Sequence, residues 1–137
     1  MIVSPAAATD AKAVVRLWQD CDLTRPWNDP VADFERAMTG PGSTILIGQS
    51  DVGVIGSVMV GHDGHRGWVY YLAVASGARG RGIGRKLMDA AEAWLCERGV
   101  PKLQLMVRDT NAAAQAFYTA LGYAVQPVET WGKWIDT

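Results

Sequence analysis

The sequence predicts an α/β fold, of the kind also classed as α+β, with a mixed and mostly antiparallel sheet of six to seven strands and about four helices. Three observations carry this expectation. Strand-like and helix-like periodicities alternate along the chain, glycine or proline marks most changes of period, and the 137 residues, 49% hydrophobic and 20% charged, suffice for one core without metal or disulfide staples. No repeat, low-complexity tract or linker interrupts the order β-α-α-β-β-β-α-β-α-β-β. A single domain spanning residues 1–137 is therefore expected.

Ile2-Val3 reads as a short strand, and Thr9-Asp10 offers an N-cap for a helix whose apolar stripe is Ala11, Val14, Val15, Trp18 and Cys21. In the elbow Leu23 to Pro30 the two prolines break regular structure. Asn28 or Asp29 can cap a second helix over 31–39, which Gly40-Pro41-Gly42 stops. Residues 43–49 and 53–61 form a predicted hairpin around Ser50-Asp51-Val52. A polar turn, His62 to Gly67, then leads into the aromatic and β-branched run Trp68 to Val74, suited to a central strand. Helical spacing returns with Ile83, Leu87, Ala90, Ala91, Trp94 and Leu95, closed by Arg98, Gly99 and Pro101. Residues 103–107 read as the next strand. Asn111 can cap a last helix with Ala113, Phe117, Ala120 and Leu121 inward and Gly122 at its end, after which 123–128 and 131–135 read as closing strands.

Composition excludes several functions. The longest apolar runs, such as Thr44 to Ile47, are far short of the ~20 residues of a membrane span, so no membrane partner is expected. The start carries no basic n-region or long apolar stretch of a secretion signal. Cys21 and Cys96 stand far apart with no C-x-x-C pair and no Cys/His cluster, which argues against a disulfide framework or a metal site and for a reduced, cytoplasmic setting. Cys21 lies on the helix stripe with no adjacent His, a poor setting for an acyl-accepting thiolate.

The chemistry concentrates in residues 79–86, Arg-Gly-Arg-Gly-Ile-Gly-Arg-Lys, between the central strand and its helix. Helix N-termini present unpaired N–H groups and the positive end of the dipole, and glycines let an anion approach the main chain. Four cations in eight residues suit a phosphate; a flexible turn opening a solvated basic helix is the bland alternative. The spacing G-x-G-x-G is not the dinucleotide fingerprint G-x-G-x-x-G, and no P-loop pattern occurs. The four cations also divide the net charge of -1, because the remaining nine basic residues face 14 acids, a balance of -5. The acidic remainder favours a cationic acceptor, and scattered basic residues argue against nucleic acid.

Arg79 through Gly84 gives R-x-x-G-x-G directly after Leu72-Ala73-Val74, and Asn111 through Tyr123 gives N-x-x-A-x-x-F-Y-x-x-L-G-Y. Together these motifs resemble the GNAT superfamily of N-acetyltransferases, across essentially the whole chain. The likeness is to the branch that includes the ribosomal-protein alanine N-acetyltransferase. The segments 21–30 and 63–67 look like features of a small bacterial subgroup of that branch.

The resemblance implies a single-domain GNAT fold with splayed central strands and acetyl-CoA as cosubstrate, without a metal. The main chain of Leu72, Ala73 and Val74 would pair with the pantetheine arm, an N–H near Val74 would polarise the thioester carbonyl, and Arg79, Gly80, Arg81, Gly82, Ile83, Gly84 and Arg85 would cradle the pyrophosphate. Tyr118 matches the tyrosine that protonates the departing thiolate, or else covers a groove. Asn111 matches a cofactor-contacting position, or else only caps its helix. A strand Glu that relatives carry is replaced by Met106, so the candidates for a base are His62, Asp63, His65 and Asp109, acting through water. In the elbow, Arg25, Trp27 and Asn28 are candidates for the acceptor side; Trp27 could equally plug the core. The implied activity is acetyl transfer to a primary amine, namely a protein or peptide N-terminus, a lysine or a small amine. A non-catalytic acyl-CoA-binding module of the same fold is the alternative. A homodimer stays open, with no stretch that marks an interface.

Overall fold

In the computed structural model, residues 1–135 are described, and the chain divides into two compact units, Met1–Met106 and a second that begins at Val107. The first unit holds a five-stranded sheet in sequence order: β1 (Ile2–Pro5), β2 (Ser43–Ser50), β3 (Gly53–His62), β4 (Gly67–Val74) and β5 (Leu103–Gln104). The first four strands pair antiparallel and β5 joins β4 in parallel. It is a mixed, mostly antiparallel sheet, as expected, with one or two strands fewer.

Helices α1 (Ala11–Asp20) and α2 (Pro30–Thr39) share a core with Ile45 and Ile47 of β2 and Ala73 of β4. Val14, Val15, Leu17 and Trp18 are the buried stripe of α1, while Cys21 packs beside it half-buried. The α2 cap is Asp29, whose carboxylate accepts from the N–H groups of Val31 and Ala32, both at 3.1 Å. Asp10 does not cap α1 with its side chain; its carboxylate instead accepts from the Ala7 N–H at 2.7 Å. Helix α3 (Ile83–Glu97) buries Ile83, Leu87, Met88, Ala91 and Leu95, with Leu87 and Ile83 over Gly56 and Leu95 over Gly67. Gly99, at φ 72°, follows its C-terminus as the sequence predicts. Trp94 is only half-buried, and the Arg98 guanidinium lies 3.7 Å from its ring.

The second unit contains α4 (Ala112–Ala120). Phe117 and Leu121 are half-buried there, but Ala113 and Ala120 are exposed, so the expected inward stripe is only partly present. The strand at 103–107 shrinks to two residues, and among the described residues 123–128 and 131–135 form no strand. Val125, Val128, Trp131, Trp134 and Ile135 are exposed. β-branched and aromatic residues favour a strand only where a partner completes its ladder and covers a face. Local bonds, such as Val128 N–H to the Gln126 carbonyl, take the place of a ladder here.

Candidate functional site

The site is built on β4, whose two edges are treated differently. Toward β3 the strand is paired through most of its length, but between Ser57 and Met59 the register slips: one residue of β3 faces two of β4. This β-bulge puts Tyr71 at φ 54°, a left-handed conformation that costs a side-chain-bearing residue ~1–2 kcal/mol. Three contacts hold it there. The Tyr71 ring stacks on Trp18 with centroids 4.0 Å apart and planes 10° apart, its hydroxyl donates to Asp33 Oδ2 at 2.7 Å, and its carbonyl accepts from the buried Ser57 hydroxyl at 3.4 Å. Ser57 is itself fixed by the Trp18 indole N–H at 2.9 Å. Burial and the Asp33 carboxylate both push the Tyr71 hydroxyl far above its ordinary pKa.

Toward β5 the pairing of β4 stops after Gly67 and Trp68. The Ala75 N–H donates to Ile55 of β3, so by alternation the amides of Val74 and Leu72 point to the other, open edge. The Val74 carbonyl on that edge accepts from Cys21 Sγ at 3.4 Å and from Arg79 Nε at 3.3 Å. Arg79 therefore closes the end of the strand, with its Nη2 also 3.9 Å from Cys21 Sγ.

The chain then passes through Gly80 and Gly82, at φ 79° and 76°, into α3. Gly82 occupies the N-cap position, and no side chain caps α3, so the first N–H groups of the helix are free to receive an anion. A Cβ on either glycine would meet nothing within 4 Å, so these glycines are required by conformation and approach rather than by neighbouring atoms. Arg81 reaches back to the Gly77 carbonyl at 3.3 Å. An open strand edge running into an uncapped, cation-rich helix start fits an extended amide chain that ends in a pyrophosphate. Leu72 to Val74 and residues 79–85 form this arrangement within the first unit.

The other predicted residues fall in several places. His62, Asp63 and the flank of β4 line a groove of about 370 Å³ with Gly42, Ser43, Met59, Gly61, Trp68 and Tyr70. Asp63 Oδ1 accepts from the N–H groups of His65 and Arg66 at 2.9 and 2.8 Å, and Oδ2 from the Trp68 indole at 3.3 Å; these donors lower its pKa to about 2. The His62 ring tilts against Trp94, and His65 is exposed in the turn. In the elbow, Trp27 is 59% exposed, which removes the core-plug alternative. Arg25 donates to the carbonyls of Asp22 and Thr24 at 2.8 Å each and so braces the loop, while Asn28 is exposed.

In the second unit Asn111 caps α4, its side chain accepting from the Ala114 N–H at 3.0 Å. Asp109 is exposed, and its carbonyl accepts from Gln115 at 3.1 Å. Tyr118 meets Phe117 and Tyr123 edge-on, with centroids 5.0 and 5.8 Å apart, and burial raises its pKa. The Tyr71 bulge and its Trp18–Ser57–Asp33 support had no signal in the sequence beyond an uninterrupted aromatic run.

Residues 12–123 match the acetyltransferase (GNAT) family. The chain belongs to that family. An acetyltransferase of Pectobacterium atrosepticum is 45% identical over 124 residues, covering 90% of this chain and 88% of its own, and one of Yersinia enterocolitica is 43% identical over 125 residues, covering 91% and 89%. Among solved structures, an aminoglycoside N-acetyltransferase in complex with coenzyme A shares the fold with a TM-score of 0.84 at 18% identity, over 96% of this chain and 93% of that one. The protein is an acetyl-CoA-dependent GNAT acetyltransferase. No helix among the described residues is long and apolar enough to cross a membrane, and no His/Cys/Asp/Glu group among them could hold a metal ion.

Proposed function

We propose that this acetyltransferase carries the acetyl group from acetyl-CoA directly to a primary amine in a ternary complex. The observation that carries the reading is the open edge of β4 leading into the uncapped glycine-arginine start of α3. Pantetheine amides would complete the edge at Leu72 to Val74, while Arg79 to Arg85 and the helix N–H groups would take the pyrophosphate. The neutral amine nitrogen attacks the thioester carbon, a C–N bond forms, the C–S bond breaks, and the amine proton is lost to solvent as the thiolate takes one up. An open main-chain N–H near Val74 would steady the oxyanion, and positioning supplies much of the rate.

Tyr118 is assigned the proton donated to the thiolate, on the motif it occupies. Its raised pKa keeps the phenol protonated at neutral pH. Asp63, held as a carboxylate by three donors, is poorly matched to proton abstraction near neutral pH; His62 ends β3 beside it and His65 lies in the turn. Asn111 serves first as a helix cap.

Coenzyme A release measured across peptide N-termini, lysine and small amines tests the reading. Tyr118→Phe should lower turnover about 10²- to 10⁴-fold with little change in acetyl-CoA affinity. Acetyl-CoA binding without release for any amine would favour the non-catalytic module, and unaltered turnover in the variant would remove the role given to Tyr118.

A further inference from the structure

The groove beside the start of β4 has a composition that the cofactor does not explain. Gly61 and Met59 of β3, Trp68 and Tyr70 of β4, and Ser43 of β2 line it together with Asp63. Trp68 pairs with Gly61 and Tyr70 with Met59 across the two strands, so these four side-chain positions share one face of the sheet. Gly61 leaves little room for a side chain, because a Cβ there would lie 3.0 Å from Ser43 Cβ and 3.1 Å from the Gly42 carbonyl.

Asp63 supplies the charge. Its two oxygens accept from two backbone N–H groups and the Trp68 indole, all neutral donors, and among the described residues no ion pair engages it. The nearest cation in the turn, Arg66, turns its Nη1 to the His65 carbonyl at 3.1 Å. A carboxylate without a cationic partner thus stands beside two aromatic rings in a cavity within the ~300–1,000 Å³ of ligand pockets. Carboxylate and ring faces both attract a cation, and a thioether and aromatic wall accept its alkyl stem.

We propose that this groove binds an alkylammonium group of the acceptor, so that the substrate class is amines carrying a second positive charge beyond the reacting nitrogen. The inference rests on the acetyltransferase reading and deepens it. Tyr70 stands two residues and Trp68 four residues before Leu72 on the same strand, which sets roughly 7–13 Å between the groove and the open edge. One nitrogen would be held at Asp63 as the ammonium while the other, neutral, faces the thioester.

The test compares α,ω-diamines of four to eight carbons with monoamines of the same length, in wild type and in Asp63→Asn. Asparagine keeps the carbonyl oxygen that accepts from the turn while removing the charge. The wild-type kcat/KM should favour the best diamine over its monoamine by about tenfold or more, and this ratio should fall at least fivefold in Asp63→Asn. Tyr70→Ala, which removes a wall outside the turn, should lower the ratio in the same direction. In parallel, the Trp68 indole N–H resonance should shift saturably with diamine in wild type and not in Asp63→Asn. A ratio near one in wild type, or one that survives both variants, overturns the proposal while leaving acetyl transfer standing. A saturable, Asp63-dependent indole shift with no turnover of any amine supports the groove and counts instead against the acetyltransferase reading. No indole shift overturns it.

Discussion

The two ends of β4 lie on one strand and are chemically opposite. At its beginning, Gly67 and Trp68 are paired on both sides, with Leu95 of α3 packed onto Gly67, and the aromatic side chains line a groove. At its end, Ala73 and Val74 are paired on one side only, and the open edge leads to the anion-receptive turn. Between them lies a single bulged residue, Tyr71. The difference teaches that a strand can present side chains for recognition at one end and main chain at the other, provided a local break in register separates the two uses.

The comparison breaks most severely at the bulge support. Trp18→Ala removes a fully buried ring that stacks on Tyr71 and leaves the Ser57 hydroxyl short of a donor; it should cost about 3–5 kcal/mol in denaturant unfolding. At the opposite end, Gly67→Ala would place a Cβ 2.5 Å from Leu95 Cδ1, and overpacking of that kind should cost about 1–3 kcal/mol in the same measurement.

Tyr71→Phe keeps the stack and deletes only the bond to Asp33, with an expected loss of about 1–2 kcal/mol. Because the folded-state pKa of Tyr71 lies above its ordinary value of 10.0, the stabilisation is complete below that pH and is lost as pH rises through the folded value. The wild-type advantage over Tyr71→Phe should therefore shrink in alkaline unfolding curves. The smallest effect concerns Asp63, whose lowered pKa has the opposite sign: its contribution is complete above 3.8 and fades as pH falls through about 2. The Trp68 indole resonance should move over that window and stay flat in Asp63→Asn.

Much of this was readable before any coordinates. Asn28 or Asp29 before Pro30 pointed to the α2 cap, which falls on Asp29, and Gly99 to the end of α3, because each depends on conformational rules local to a few residues. The same locality misled at Asp10, which bonds the Ala7 N–H instead of capping α1. It misled more at 123–128 and 131–135, where strand-forming residues lack the ladder a strand needs among the described residues. Trp131 and Trp134 consequently lie exposed rather than packed.

The sequence by itself determined the order of elements through α4, the helix stops, the cation-rich turn and, through two motifs, the family and its cofactor. Those properties depend on side-chain type and short spacing. Only the tertiary structure decided where β4 changes from a paired strand to an open edge. Tyr71 takes its left-handed conformation because Trp18, Asp33 and Ser57, 53, 38 and 14 positions away, meet around it. No local propensity favours that conformation in a tyrosine, so contacts distant in sequence have to hold it.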